Sequence, residues 1–170
     1  FRFENVGQLC EASAQLGMEL PYQADSKVLG TPIKIGDKTV KNRILIQPIE
    51  GFDSNADGSP SERSVARYCE MARNGAGAIW IESVSVNEEG RSNGAQLWIT
   101  RENVGSFEKM NQAIQQAGDG DVYTILQLTH SGRYSNPHGT PRPVCAFHSE
   151  SIPKENERIK NILETEFHIA

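Results

Sequence analysis

Gln47, Glu50, Ser83, Gln127, His130 and Arg133 are the side chains of this sequence best suited to recognising a ligand. In "ILQLTHSGRYSNP" (residues 125–137) an apolar run passes straight into Gln127, Thr129, His130, Ser131 and Arg133. A glutamine amide offers a donor and an acceptor side by side, so it pairs with a ring edge carrying an N–H next to a C=O. A planar heteroaromatic cofactor has such an edge. Arg133 has the fork geometry for a phosphate or carboxylate. Plainer roles compete: Gln127 satisfying its own neighbours, His130 as a structural hydrogen-bonder, Arg133 paired with Glu82 or Glu89. Glu50 and Asp53 could form an acid/base pair, but Asp53, Asp57 and Gly58 also read as turn formers. The Glu88–Glu89 pair reads as solvated surface, and Trp80 and Trp98 as packing residues.

These residues matter only if the fold gathers them. Residues 4–17 carry Val6, Leu9, Cys10, Ala14 and Gly17 at helical spacing. "TPIKIGDKTVKNR" alternates about Gly36-Asp37 and predicts a hairpin. "RILIQPI" (43–49) has too little alternation for a half-exposed strand and predicts one buried on both faces. Ser59 as N-cap, Pro60 at the first helical position and Glu62 three residues after the cap predict a helix start. Its buried face is Val65, Tyr68, Cys69 and Ala72, and Gly75 is its stop. "AIWIES" (78–83) predicts a second buried strand, Thr100 a cap for a helix ending at Gly118, and "DVYTILQL" (121–128) a third strand. Residues 129–157 read as loop and 157–170 as a helix.

The β-α-β-α-β order implies parallel strands with helical crossovers. A doubly wound sheet calls for a Gly-rich phosphate turn after its first strand. "QPIEGFDSNADG" contains neither G-x-G-x-x-G nor G-x-x-x-x-G-K-[ST]. Loops after strands are long and polar, whereas turns into strands are short. That asymmetry predicts an α/β fold of the partial (β/α)₈ TIM-barrel kind: the first three β/α units, preceded by a short helix and a β-hairpin. In such a sheet all strand C-termini meet, which brings Gln47-Pro48-Ile49-Glu50, Glu82-Ser83 and Gln127 to one end.

With 170 residues the chain is long enough for a core of its own. Its net charge of −5 gives no electrostatic reason to expect nucleic acid or an anionic membrane. Apolar runs fall short of a bilayer span, and the N-terminus lacks the apolar stretch of a secretory signal. The chain begins without Met, as a processed or incomplete sequence would. The three cysteines form no C-x-x-C pair, so no metal site is expected, and ordinary thiols suit a cytoplasmic protein.

"PIKIGDKTVKNRILIQP", "DGSPSERSVARYCEMARNGAGAIWIESVSVNEEGR" and "QLTHSGRYSNP" stand in order over residues 29–145. In this the chain resembles the Old Yellow Enzyme-like NADH:flavin oxidoreductases, including the branch related to 2,4-dienoyl-CoA reductase. The resemblance implies an FMN-binding barrel: a helical extension over 1–28, and the N-terminal, incomplete portion of the barrel over 29–170. It implies that Gln47, Pro48, Ile49 and Glu50 lie along the flavin, with Ser83 beneath the ring and Gln127 on its pyrimidine end. His130 to Arg133 would lie near the site. Hydride would pass from NADH or NADPH through FMN to an activated alkene such as an enone or enoyl thioester. Many members have Thr or Cys where Glu50 stands, so Glu50 either alters flavin tuning or points elsewhere. The family's catalytic residues, its phosphate loops and any iron–sulfur cluster are expected downstream of residue 170. The resemblance leaves self-association open. A non-catalytic barrel fragment that only binds or self-associates is the alternative, and another barrel enzyme acting on phosphorylated substrates is a third.

Overall fold

The computed structural model of the protein describes residues 3–145 and 158–159. Helix α1 (Val6–Gln15) is capped by Asn5, whose side chain accepts from the Gln8 amide. It is shorter than the periodicity predicts and is weakly packed: Ser13 is its buried residue, while Leu9 and Leu16 are exposed. The hairpin forms as expected. Strands β1 (Ile33–Ile35) and β2 (Lys38–Val40) pair antiparallel about Gly36, whose φ of +57° suits a residue without Cβ.

The centre is a sheet of three parallel strands in the order β3 (Leu45–Ile46), β4 (Ala78–Ser85), β5 (Tyr123–Thr129). Helices α2 (Glu62–Arg73) and α3 (Val104–Ala117) are the crossovers. Both cover the same face. Tyr68 and Ala72 of α2, and Phe107, Met110 and Ile114 of α3, share one core with Ile79, Ile81 and Val84 of β4. Sequential strand order with helices on one side is what a barrel wall requires. The sheet does not close into a barrel among the described residues.

Several sequence expectations are corrected. The first strand is limited to Leu45–Ile46 and is not buried on both faces: Ile44, Leu45 and Ile49 are exposed. Among the described residues it is an edge strand with one neighbour, and Ile46 is its residue that meets the helix-side core. The α2 cap is Ser61, which accepts from the Ser64 amide at 3.1 Å, rather than Ser59. Ser59 is already committed, because its amide and hydroxyl both donate to Asp57. Within the span read as loop, Gly132–Tyr134 make a 3₁₀ turn, and β6 (Val144–Cys145) pairs parallel with β7 (Arg158–Ile159). The helix expected over 157–170 falls outside the described residues, apart from Arg158–Ile159, which are strand.

Thr100 does not cap α3 itself: the cap position is Asn103, whose side chain makes no capping bond to the helix, and Thr100 closes the turn before it. It accepts from the Asn103 amide and donates its own amide to Asn103 Oδ1, a reciprocal pair one turn ahead of α3.

Loop lengths keep the predicted asymmetry. Residues 47–61 and 86–103 follow strands, whereas 74–77 and 118–122 lead into them. The long loops are built, not slack. Gly58 has φ +78°, and a Cβ placed there would lie 2.6 Å from Trp98 Cβ and 2.8 Å from its carbonyl. Gly58→Ala is therefore expected to cost about 2 kcal/mol, the left-handed penalty with the clash added. A fall in the urea midpoint with an unchanged slope checks it.

Candidate cofactor site

At their C-terminal ends, β4 and β5 carry the predicted residues side by side. Ser83 is the register partner of Gln127, and Gln127 Nε2 donates to Ser83 Oγ at 3.0 Å. The sheet face they share is opposite the helices. Side chains alternate along a strand, so Ile125 and Gln127 project together, and their partners Trp80 and Ser83 with them. Leu45 pairs with Ala78 on this same face, and Gln47, two residues on, continues it. Gln47 is exposed.

Ser83 reaches that face through an irregularity. Ile81 pairs with Leu126 and Ser83 with Gln127, so Glu82 has no opposite number. It is a β-bulge. Strict alternation would have turned Ser83 towards the helices with Ile79 and Ile81.

Glu82 is fully buried and heavily bonded. Its Oε1 accepts from Arg67 Nη2 at 2.9 Å and from the Tyr68 hydroxyl at 3.0 Å. Its Oε2 accepts from the Gly51 amide at 3.0 Å. Arg67 also binds Asp53 at 3.0 Å, and Ser64 donates to the same carboxylate. Burial works against the Arg67 charge, but Glu82, Tyr68 and Asp53 outweigh it and hold its pKa above the ordinary arginine value. Burial, with the Glu82 charge adding to it, pushes the Tyr68 phenol up to about 12. Asp53 is thus an ion-pair partner of Arg67 and not the acid/base partner of Glu50. Arg133, exposed on its loop, does not pair with Glu82, which Arg67 already holds.

Glu50 turns towards the loop after β4. Ser92 Oγ donates to it at 3.2 Å, Gln96 Nε2 at 3.1 Å and Asn93 Nδ2 at 3.4 Å. That loop returns beside β4: the Ser85 amide donates to the Leu97 carbonyl and the Ile99 amide donates to the Ser85 carbonyl, in the lane that β3 leaves at Ile46. Burial raises the Glu50 pKa above its ordinary 4.5; hydrogen bonds from Ser92, Asn93 and Ser83 oppose this, and the Glu82 charge adds to it. The folded chain therefore holds this proton more tightly than the unfolded chain. The stability it contributes is complete below pH 4.5 and is lost as pH rises through the folded pKa. A ¹³C titration of the Glu50 carboxyl is expected to show a midpoint above 4.5, and the loss of stability over that window is expected to be smaller in Glu50→Gln.

His130 and Arg133 lie at the rim, both exposed. His130 Nδ1 accepts from the Gly132 amide, where φ is +56°. The His130 ring rests against Gly90, where a Cβ would come within 2.7 Å of it. Ser131 N donates to the Gly90 carbonyl. Arg91, buried behind this contact, holds the carbonyls of Gly94 and Pro137. Trp98 lies 5.4 Å from the Arg91 guanidinium, a packing role as expected. Glu88 is half-exposed but bridges Arg91 and His138, so it is more than solvated surface.

Sequence reasoning missed Arg67, Gln96 and the bonding role of Tyr68. A signal existed for the first and last: a glutamate inside the apolar run "AIWIES" needs partners, and the preceding helix carries an Arg-Tyr pair. Among the described residues, no cluster of His, Cys, Asp and Glu is arranged to hold a metal, and no helix is long and apolar enough to cross a membrane.

The chain is similar to the following proteins. The NADPH dehydrogenase of Bacillus subtilis (strain 168) is 29% identical over 146 residues, covering 82% of this chain and 42% of that protein. The NADH oxidase of Thermoanaerobacter brockii is 31% identical over 124 residues, covering 67% of this chain and 19% of that protein. The chain therefore spans less than half the length of these relatives. Among solved structures, the old yellow enzyme homologue from Zymomonas mobilis superposes with a TM-score of 0.58 at 30% identity, over 71% of this chain and 33% of that one. A 2-naphthoyl-CoA reductase complex gives 0.58 at 26%, over 64% of this chain and 16% of that one. The model of the NADH:flavin oxidoreductase / NADH oxidase family matches residues 28–167, and the chain belongs to that family.

Proposed function

We propose that this chain is the N-terminal part of an FMN-dependent NAD(P)H oxidoreductase, with residues 29–170 contributing the first barrel units and 1–28 a helical extension. The observation that carries this reading is the Ser83–Gln127 pair at the ends of adjacent parallel strands. The residues there fit a flavin's polar edge. Gln127 spends its amide N–H on Ser83, while its carbonyl oxygen accepts no hydrogen bond among the described residues. The Gln47 side chain and the backbone amides of Ile49 and Glu50 likewise donate to nothing among the described residues. Unspent donors and acceptors gathered at one end of a sheet face are what a ring bearing alternating N–H, N and C=O groups requires.

FMN, when bound, supplies the hydride chemistry, accepting from NADH or NADPH and giving to an activated alkene such as an enone or enoyl thioester. The work of this chain is to bind and orient. Gln127 and Gln47 would address the ring edge, and Ser83, being small, leaves room beneath it. Pro48 to Glu50 would lie along it, their loop fixed through Gly51 to Glu82. Because Glu50 is bonded to Ser92, Asn93 and Gln96, its carboxylate is directed at the neighbouring loop. Arg133 at the rim, with His130 beside it, suits an anionic group of a small-molecule substrate.

The test is to purify the protein at its natural length and record its visible spectrum. A bound flavin that either nicotinamide bleaches without oxygen, and that an enone or enoyl thioester then reoxidises, is the expected result. A folded protein that takes up no FMN, or whose flavin neither nicotinamide reduces, would overturn the reading.

A further inference from the structure

The bulge at Glu82 is held by more bonds than packing requires. A bulged residue withdraws its N–H from the ladder, and a buried amide without a partner is costly. Here the Tyr68 hydroxyl meets both needs at once: it accepts from the Glu82 amide at 2.9 Å and donates to Glu82 Oε1 at 3.0 Å. Arg67 neutralises the same carboxylate. The second carboxylate oxygen reaches across to the Gly51 amide, at the end of the segment Gln47–Glu50. One side chain thus sets two geometries. It keeps the extra residue on the helix side, which turns Ser83 onto the face opposite the helices, beside Gln127, and it pins the loop after β3.

We infer that Glu82, clamped by Arg67 and Tyr68, is a positioning residue for the flavin, acting through Ser83 and through the Gly51 amide. This rests on the flavoenzyme reading above. Glu82 itself does not touch the ring: it is fully buried among α2, β4 and the loop.

The test uses the natural-length protein with Glu82→Gln and Tyr68→Phe. FMN affinity is read by fluorescence quenching, and the apo protein is followed by amide hydrogen exchange. Ile114→Val, in the same core but away from the clamp, controls for general destabilisation. Glu82→Gln is expected to weaken FMN at least tenfold and to speed exchange at Gly51 and Ser83, while Ile114→Val leaves affinity within twofold. Ser83→Ala, which removes the hydroxyl that orients the Gln127 amide, should weaken FMN less in the Glu82→Gln background than in the wild type, because Ser83 is then already displaced. If Glu82→Gln does not fold, Tyr68→Phe, which removes the two bonds to the bulge and keeps the ring, carries the same expectations. Affinity within twofold of wild type in the folded variant, with only the melting temperature lowered, overturns the inference. Should wild-type protein bind no FMN at all, the flavoenzyme reading fails. The exchange rates then decide the clamp alone, and unchanged protection at Gly51 and Ser83 would refute it.

Discussion

Arg67→Ala is expected to lower the stability of the protein by about 3 kcal/mol. Arg67 Nη2 bridges Asp53 at 3.0 Å and Glu82 at 2.9 Å, and the Glu82 side chain is 1% exposed. Removing the guanidinium strands a buried carboxylate and leaves Asp53 with Ser64 as its remaining side-chain partner. The expected cost sits at the low end of the range for broken buried pairs because Arg67 is 26% exposed and water can reach the gap. Urea unfolding measures it. Double replacement of Arg67 and Glu82 by apolar residues should recover part of the loss, since the stranded charge is then gone.

The second large effect is on binding. Gln127→Leu is expected to weaken FMN by about 30-fold, close to 2 kcal/mol, while changing stability by less than about 1 kcal/mol. The loss has two parts. On the proposed reading the flavin edge would give up a donor–acceptor partner, and the Ser83 hydroxyl loses the amide that donates to it. Gln127 is only half-buried, so folding depends on it little. Arg67→Ala and Gln127→Leu therefore separate what holds the strand ends in place from what those ends hold. Fluorescence titration with FMN, set beside the urea midpoints, reads both.

What could be read in advance followed the range of the interactions. Helical periodicity and turn chemistry are local, so the hairpin at Gly36-Asp37, both crossover helices and the parallel order were legible. The cap of α2 lies two residues beyond the one the sequence favours because Ser59 and Ser61 are equally good caps by type. The choice fell to Asp57, which occupies Ser59. "RILIQPI" reads as a strand covered on both faces because composition registers apolarity and not the number of neighbours, and β3 has one among the described residues. At the site, Gln47, Ser83 and Gln127 were placed at the strand ends from spacing and family resemblance. The bulge that faces Ser83 inward was not legible. It depends on Tyr68 meeting a backbone amide 14 residues away, and no periodicity encodes that. Nor was the direction of Glu50, set by Ser92, Asn93 and Gln96 more than 40 residues downstream.

The most direct measurement is a titration of FMN into natural-length apo protein labelled with ¹⁵N at glutamine side chains and at the backbone. The Gln47 and Gln127 side-chain amides are expected to shift together with the backbone amides of Ile49 to Gly51 and Ser83, saturating at one equivalent. Saturable binding that leaves those signals in place and moves others instead would contradict it.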